Sequence, residues 1–404
     1  MRVGVGYSEN PDTHSAGREA ALEALKQAES DNICDFVLMF STARHDAKIL
    51  HDSVADVLGD SVPFIGGGAL GAICNDRFGY AGDQVILAAF WLQGVHCELL
   101  SESGLLENEE ESGKRLGQKL AKLNVTPTSP ILFFYDAIDH TSANVRLIMA
   151  TLLLQGIEQG LGFLPDLLGA GLQGDYICTP TRQWIGTQVT EHRALALAFD
   201  DAVHIDHVIM HGCRPATGYY TVTKADKQAI LEINGEPALR FLDKLLGPKI
   251  QPEDYPFFLI LGINKGDKWG DFDEKNYVNH LCLAIDKEHD AIIMFESDML
   301  EGTEFQVMYR SLDLDYMPPR IEKLFDHLGG RKPVLALYIN CAGRAAGFGG
   351  SDMEDAVVVQ KTLAGRVPLM GVYSGVEIAS VVERPRGLDW TGVFCLISVP
   401  NENL

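Results

Sequence analysis

The residues with most chemistry to offer stand close together near the C-terminus. Asn340-Cys341-Ala342-Gly343-Arg344 is followed by Glu354, then by Gly371-Val372-Tyr373-Ser374-Gly375-Val376-Glu377. Arginine presents a planar fork of donors that matches a carboxylate or phosphate. Glu354 and Glu377 suit an ammonium group, so Cys341, Arg344, Glu354, Tyr373 and Glu377 compose a pocket for a small zwitterion such as an amino acid. A Cys and an Arg at the carboxyl end of a strand also stand where α/β architectures commonly bind ligands. The residues alone leave other readings open. Structural ion pairs cluster charge in the same way, and Arg344 would then be buried with a glutamate beside an inert thiol. Alternatively Cys341 is the nucleophile of a thiol-dependent hydrolase or transferase. That reading needs a basic partner to lower the thiol pKa, and no histidine stands near it in sequence.

The elements that must position these residues come in three copies. Apolar runs of strand length cover 35–42, 130–138 and 333–341. Each opens into a turn and an amphipathic helical segment, and a short strand with paired glycines follows: Gly66/Gly67 to Gly71, Gly169 to Gly174, and Gly371 to Gly375. Further strands close each copy over 84–92, 184–199 and 388–397. Internal repetition of this kind marks duplicated units that share a core. Apolar residues at helical spacing predict helices over 16–28 and 47–58, a third through Val145, Ile148, Met149 and Leu152 capped by Ser142, and a fourth capped by Ser351 and ending before Gly365. Between the second and third copies the pattern changes to short strands and two helices, over 237–246 and 318–328.

At 404 residues the chain is too long for one ordinary core, and two domains are expected, 1–218 and 219–404, joined at the Gly- and Pro-containing stretch 212–218. The fold class expected is α+β: repeated β-α-β-β units forming mixed, largely antiparallel sheets in a layered α/β/β/α sandwich. A formal net charge of −23 excludes a nucleic-acid partner, which needs clustered Lys and Arg. Eight scattered cysteines without a C-x-x-C pair suit a reducing compartment. No signal-peptide pattern and no apolar run of membrane-spanning length are visible, so a cytoplasmic protein without a membrane partner is expected. No cofactor and no metal site are expected. His204, His207 and His211 lack a third convergent ligand, because only the last two share a strand face. Asn264-Lys265-Gly266-Asp267 imitates a guanine-reading element, but no phosphate loop accompanies it. Gly4 and Gly6 imitate the start of a dinucleotide loop whose third glycine is missing.

Several of these segments together resemble the FIST family (F-box and intracellular signal transduction), with N-terminal and C-terminal domains in tandem. They are 64–71 (Phe-Ile-Gly-Gly-Gly-Ala-Leu-Gly), Thr221 to Ala225, Glu236-Pro237-Ala238-Leu239, Cys341-Ala342-Gly343-Arg344, and Gly371 through Ile378. Ala72 stands where many relatives carry Glu. The resemblance implies a stand-alone sensory module that binds a small ligand, an amino acid or related small carboxylate, and passes its signal to a separate signalling protein. It also implies a second, pseudo-equivalent pocket near Ser41, Gly66, Gly67 and Gly71. A protein-interaction scaffold, with glycines serving packing alone, is the remaining alternative.

Overall fold

The computed structural model describes residues 1–30, 33–141 and 146–401. In it the chain runs three times through one plan. The first unit comprises β1 (Arg2–Ser8), α1 (Thr13–Ala28), β2 (Phe36–Ser41), α2 (Ala47–Leu58), β3 (Phe64–Gly68), the hairpin β4 (Gly71–Cys74) and β5 (Phe78–Tyr80), and β6 (Val85–Trp91). The second has β7 (Cys97–Glu102), α3 (Glu109–Ala121), β8 (Ile131–Asp136), a short pair β9 (Ile138–Asp139) and β10 (Arg146–Leu147), α4 (Ala150–Leu161), β11 (Leu167–Leu172), the hairpin β12 (Gln183–Gly186) and β13 (Gln188–Thr190), and β14 (Ala194–Phe199). Ser142 and Val145 lie outside the described residues.

The third unit opens with β15 (His204–Met210) and is then interrupted by β16 (Cys213–Pro215), β17 (Tyr220–Asp226), β18 (Ala229–Ile233), β19 (Glu236–Pro237), α5 (Ala238–Leu246), β20 (Ile260–Asn264), β21 (Tyr277–Asp286), β22 (Ala291–Met294) and β23 (Glu304–Arg310). It resumes with α6 (Met317–Asp326), β24 (Lys332–Cys341), α7 (Ala346–Gly349), α8 (Asp355–Leu363), β25 (Leu369–Ser374), the hairpin β26 (Val376–Val381) and β27 (Arg384–Leu388), and β28 (Gly392–Val399). Helix α8 starts at Asp355 rather than beyond a cap at Ser351. The Ser351 hydroxyl instead accepts from Met353 N within the preceding turn.

Each unit builds most of one six-stranded sheet and borrows the rest. The orders are β1-β6-β2-β3-β12-β13, β7-β14-β8-β11-β26-β27 and β15-β28-β24-β25-β4-β5. The last two strands of every sheet therefore come from a different unit. Among the described residues the parallel pairs are β2 with β3, β8 with β11 and β24 with β25; every other pairing is antiparallel. The α+β class and the repeated strand–helix–strand–strand plan are those expected from the sequence.

The strands are apolar on both faces because both faces are covered. Leu38 and Phe40, Leu132 and Phe134, and Leu337 and Ile339 point into one core shared by the three sheets. Phe40 meets Phe134 edge-on there, with ring centroids 5.2 Å apart. The alternate residues turn outward beneath helices: Val37 and Met39 under α1 and α2, Ile131 and Phe133 under α3 and α4, and Ala336 and Tyr338 under α6 and α8. Gly4 and Gly6 serve this layering and not a nucleotide. A Cβ at Gly6 would lie 1.7 Å from Ala20 O, so α1 rests on bare strand backbone.

The interruption of the third unit closes into a ring, β17-β18-β22-β21-β20-β23, because β23 pairs with both β17 and β20. Leu239 and Leu242 of α5 pack with its interior, which includes Val222, Leu261 and Phe305. The barrel docks on the second unit through Glu296, whose carboxylate accepts from Ala150 N and Thr151 N at distances of 3.0 and 2.9 Å. Helix α4 has no side-chain cap of its own, so the barrel supplies one. Among the described residues no helix is long and apolar enough to cross a membrane.

Two outcomes follow from this packing. Gly6→Ala forces a methyl into the α1 backbone and should cost about 1–3 kcal/mol in a urea titration; an unchanged midpoint would contradict the close approach. Burial raises Glu296 from its ordinary value to about 7, against the two amide donors that favour its charge. A carboxyl raised on folding stabilises fully below its unfolded pKa and loses that contribution as pH rises through the folded value. Between pH ~4.5 and ~7 wild type should therefore lose stability relative to Glu296→Gln, by about 3 kcal/mol across the window. Parallel stability–pH curves for the two proteins would refute the assignment.

Candidate functional site

Arg344 lies in the turn after β24, and its guanidinium is saturated by its own chain. Nε and Nη2 donate to one oxygen of Asp355 at 2.8 and 2.6 Å. Nη2 also donates to the Tyr316 hydroxyl at 3.1 Å, and Nη1 to His211 O at 2.8 Å and Trp390 O at 3.4 Å. His211 and Tyr316 flank the two crossings between the third unit and its barrel, so Arg344 pins both crossings. Glu274 reinforces the first, accepting from His211 N and Gly212 N and pairing with Arg320.

The other residues expected beside Arg344 are nearby but engaged elsewhere. Glu354 accepts from Tyr80 OH, Ala346 N and Tyr373 OH at 2.9, 2.8 and 3.1 Å, and so ties the first unit's hairpin to the third unit. Glu377 is fully buried; it accepts from the Ser374 hydroxyl at 2.8 Å and from Thr391 N at 3.4 Å. Burial, with Asp389 adding to it, pushes the Glu377 carboxyl well above its ordinary range. Burial also pushes the Cys341 thiol far up, and Glu377 and Asp389 push it further. A thiol held protonated is a poor nucleophile. His211 is likewise committed, its Nε2 to Glu274 O and its Nδ1 to Cys213 N, while His204 is exposed and His207 faces Ser380 O.

The strand ends equivalent to Cys341 are Ser41 on β2 and Asp136 on β8. Ser41 pairs with Gly68 across the parallel β2/β3 step, and both border a cleft of about 220 Å³. Its floor is the end of that step, and its walls come from two units. The first gives Thr42 and the start of α2 with Asp46; the second gives Gly174, Thr179 and Arg182. Several bonds fix this frame. Ala43 N donates to Gly174 O, Gly68 N to Arg182 O, and Trp184 Nε1 to Ala47 O, at 2.8, 2.8 and 3.1 Å. Asp46 caps α2 by accepting from Lys48 N and Ile49 N. His45 is buried against Asp83 O and the Thr13 hydroxyl. Across the 42–46 loop a second cavity of about 340 Å³ shares Thr42, Ala43 and Gly174.

Of the residues expected around this second pocket, Ser41 lines the cleft and the named glycines serve the packing around it. Gly66 takes φ +134°, with a Cβ position 2.0 Å from Met39 O. Gly67 lies against Arg182 O, and Gly71 sits in β4 of the third sheet against Tyr80. Sequence reasoning missed Gly68, Gly174, Thr179, Arg182 and Asp46 as lining residues. Asp46 was findable as a helix cap. Arg182 was not, because nothing local shows that its hairpin crosses to the first unit's sheet.

The geometry is thus that of a three-unit α+β assembly with a strand-end cleft walled by two units. The models of the FIST N domain and the FIST C domain match residues 35–236 and 238–380, and the chain belongs to the FIST family, whose domains are sensory domains of signal transduction. An uncharacterised protein of Mycobacterium tuberculosis is 26% identical over 396 residues, covering 94% of this chain and 95% of its own length. One of Mycobacterium bovis is 24% identical over 400 residues, covering 95% of each. Among solved structures, a cyanuric acid hydrolase aligns over 98% of this chain and 99% of its own, at 10% identity and a TM-score of 0.36. A likeness of that degree assigns nothing to this chain.

Removing Arg344 leaves Asp355 buried without its counter-charge. Arg344→Ala should therefore cost about 3–5 kcal/mol in chemical denaturation. A loss below 1 kcal/mol, as for an exposed pair, would contradict the latch.

Proposed function

We propose that this chain is a cytoplasmic sensor that binds an amino acid or a related small carboxylate in the cleft beside Ser41. What carries the reading is the pairing of opposite charges across one small cavity, Arg182 on one wall and Asp46 on the other. The Arg182 side chain is half exposed; Nη1 pairs with Glu191, and the remaining donors are left for a ligand carboxylate. Asp46 faces an ammonium group, and the hydroxyls of Ser41, Thr42 and Thr179 surround the space between them. This is the zwitterion chemistry expected of Arg344 and Glu354, moved to a place where the arginine is not enclosed.

A guest in this position touches the first unit's strand end and the second unit's 174–182 segment at once. Its binding energy therefore acts on the contact between units, which is how a sensor converts occupancy into a surface a separate signalling partner can read. Eight unpaired cysteines support the cytoplasmic placement. The thiol-enzyme alternative draws no support from Cys341, whose proton is held by its surroundings.

The test is a thermal-shift and calorimetric screen of the common amino acids and small mono- and dicarboxylates. A specific ligand at a hundred times its Kd stabilises by about 2.7 kcal/mol. Arg182→Ala should weaken the ligand found by roughly 10- to 100-fold, the value of a charge-assisted bond, while the exposed Arg240→Ala changes nothing. A panel without a single stabilising member, or a ligand indifferent to Arg182, would overturn the reading.

A further inference from the structure

We infer that His140, Glu191 and His192 form a binding site for one divalent first-row transition ion, with zinc as its representative. The site is distinct from the proposed ligand cleft, to which it is joined only through the Arg182–Glu191 pair. His140 follows the short strand β9, and Glu191 and His192 form the turn between β13 and β14. The three residues bring one ligand atom each to within 4.8 Å of one another. Ligand atoms at about 2.0–2.2 Å from a common tetrahedral ion lie roughly 3.4 Å apart, so the side chains must rotate inward by about an ångström to close the site.

The surroundings orient two of the three ligands. Asp136, fully buried at the end of β8, lies 3.0 Å from His192 Nδ1 and also accepts from His192 N and Ile138 N. With Nδ1 facing that carboxylate, His192 turns Nε2 toward Glu191 Oε2, 3.6 Å away. Glu191 is held in the same manner, since its other oxygen, Oε1, pairs with Arg182. A histidine braced by a carboxylate and a carboxylate braced by a cation are the outer partners that metal ligands characteristically carry. His140 completes the set. Its ring lies with its centroid 5.1 Å from that of His192, and its Nδ1 is buried without a hydrogen-bond partner among the described residues.

His192 holds φ at +53°, a left-handed conformation uncommon for a residue with a side chain. Asp136 accepts from its amide and lies 3.0 Å from its ring Nδ1. Two imidazoles and one carboxylate suit zinc, cobalt or nickel better than calcium or magnesium, which prefer all-oxygen cages. Three protein ligands leave a fourth position for water.

The experiment uses the full chain, stripped with a chelator, dialysed, and titrated with Zn2+ by calorimetry and with Co2+ by visible absorption. We expect one equivalent of Zn2+ per chain and cobalt bands of a nitrogen- and oxygen-ligated ion. His140→Ala and His192→Ala should each weaken uptake by more than about 100-fold, and Asp136→Asn by about 10- to 100-fold through the outer partner. The exposed His289→Ala should leave uptake unchanged. Should His192→Ala fail to fold, half-exposed His140→Ala and Glu191→Gln decide the matter together with the wild-type cobalt spectrum. Absence of stoichiometric uptake by wild type, or uptake unaltered by His140→Ala and Glu191→Gln, overturns the site.

Discussion

The constraint on which everything else rests is that no sheet is finished by its own unit. The hairpin 71–80 completes the third sheet, 183–190 the first, and 376–388 the second, so the exchange runs once around the molecule. A sheet edge left open would present unpaired amides and carbonyls to water or to another chain. Exchange covers the edges of β3, β11 and β25 and makes each unit dependent on the next. It also decides where clefts form. A borrowed hairpin must cross the carboxyl end of a parallel strand step to reach its place, and the loops beside that crossing belong to two units. The Ser41 cleft, walled by the second unit's 174–184 segment, is such a crossing.

The three strand ends, equivalent in topology, have diverged in chemistry. Ser41 is bordered by open space. Asp136 is sealed by its bonds to Ile138 N and to the His192 amide and ring. Cys341 lies beneath the barrel, in a region where Glu377, Asp389, His280 and Asp298 are buried together or nearly so. His280 there lies 2.8 Å from Asp298 and is raised to about 10; burial opposes the charge and Asp298 restores it. The inserted barrel thus occupies the mouth of the third strand end, and Arg344 is the bolt that fastens it. A guanidinium with every donor used cannot also be a receptor for a guest. For that reason the ligand chemistry proposed for this chain is assigned to the first unit's strand end and not to the third's.

Much of this architecture was legible in the sequence, because both-face burial writes itself as apolar runs and helix packing as apolar stripes. The runs 35–42, 130–138 and 333–341 are the central strands β2, β8 and β24, and the helices over 16–28, 47–58 and 318–328 stand within a few residues of their expected places. What could not be read was partner choice. Arg344 has Glu354 and Asp355 side by side as acidic candidates, and the geometry at the start of α8 decides for Asp355. Helix α4 is capped by Glu296, 146 residues away. Arg182 reaches the first unit's cleft only because its hairpin is exchanged, and His140 meets His192 only because the β8 end and the β13–β14 turn converge. Periodicity reports which face of an element is buried and carries no information about which distant element covers it.

One ion pair joins the two features that the strand ends create. Glu191 gives one oxygen to Arg182 and turns the other toward His192. Arg182 in turn divides its guanidinium between Glu191 and the cleft beside Ser41. An anion entering the cleft draws on the positive charge that neutralises Glu191, and the carboxylate left richer in charge attracts a cation more strongly. A cation at Glu191 likewise loosens its hold on Arg182 and frees the fork for an anion. Linkage requires the two effects to be equal in free energy. For the two proposed guests the sign is therefore fixed by the order of charges along the line His192–Glu191–Arg182–cleft: occupancy at either end would favour occupancy at the other.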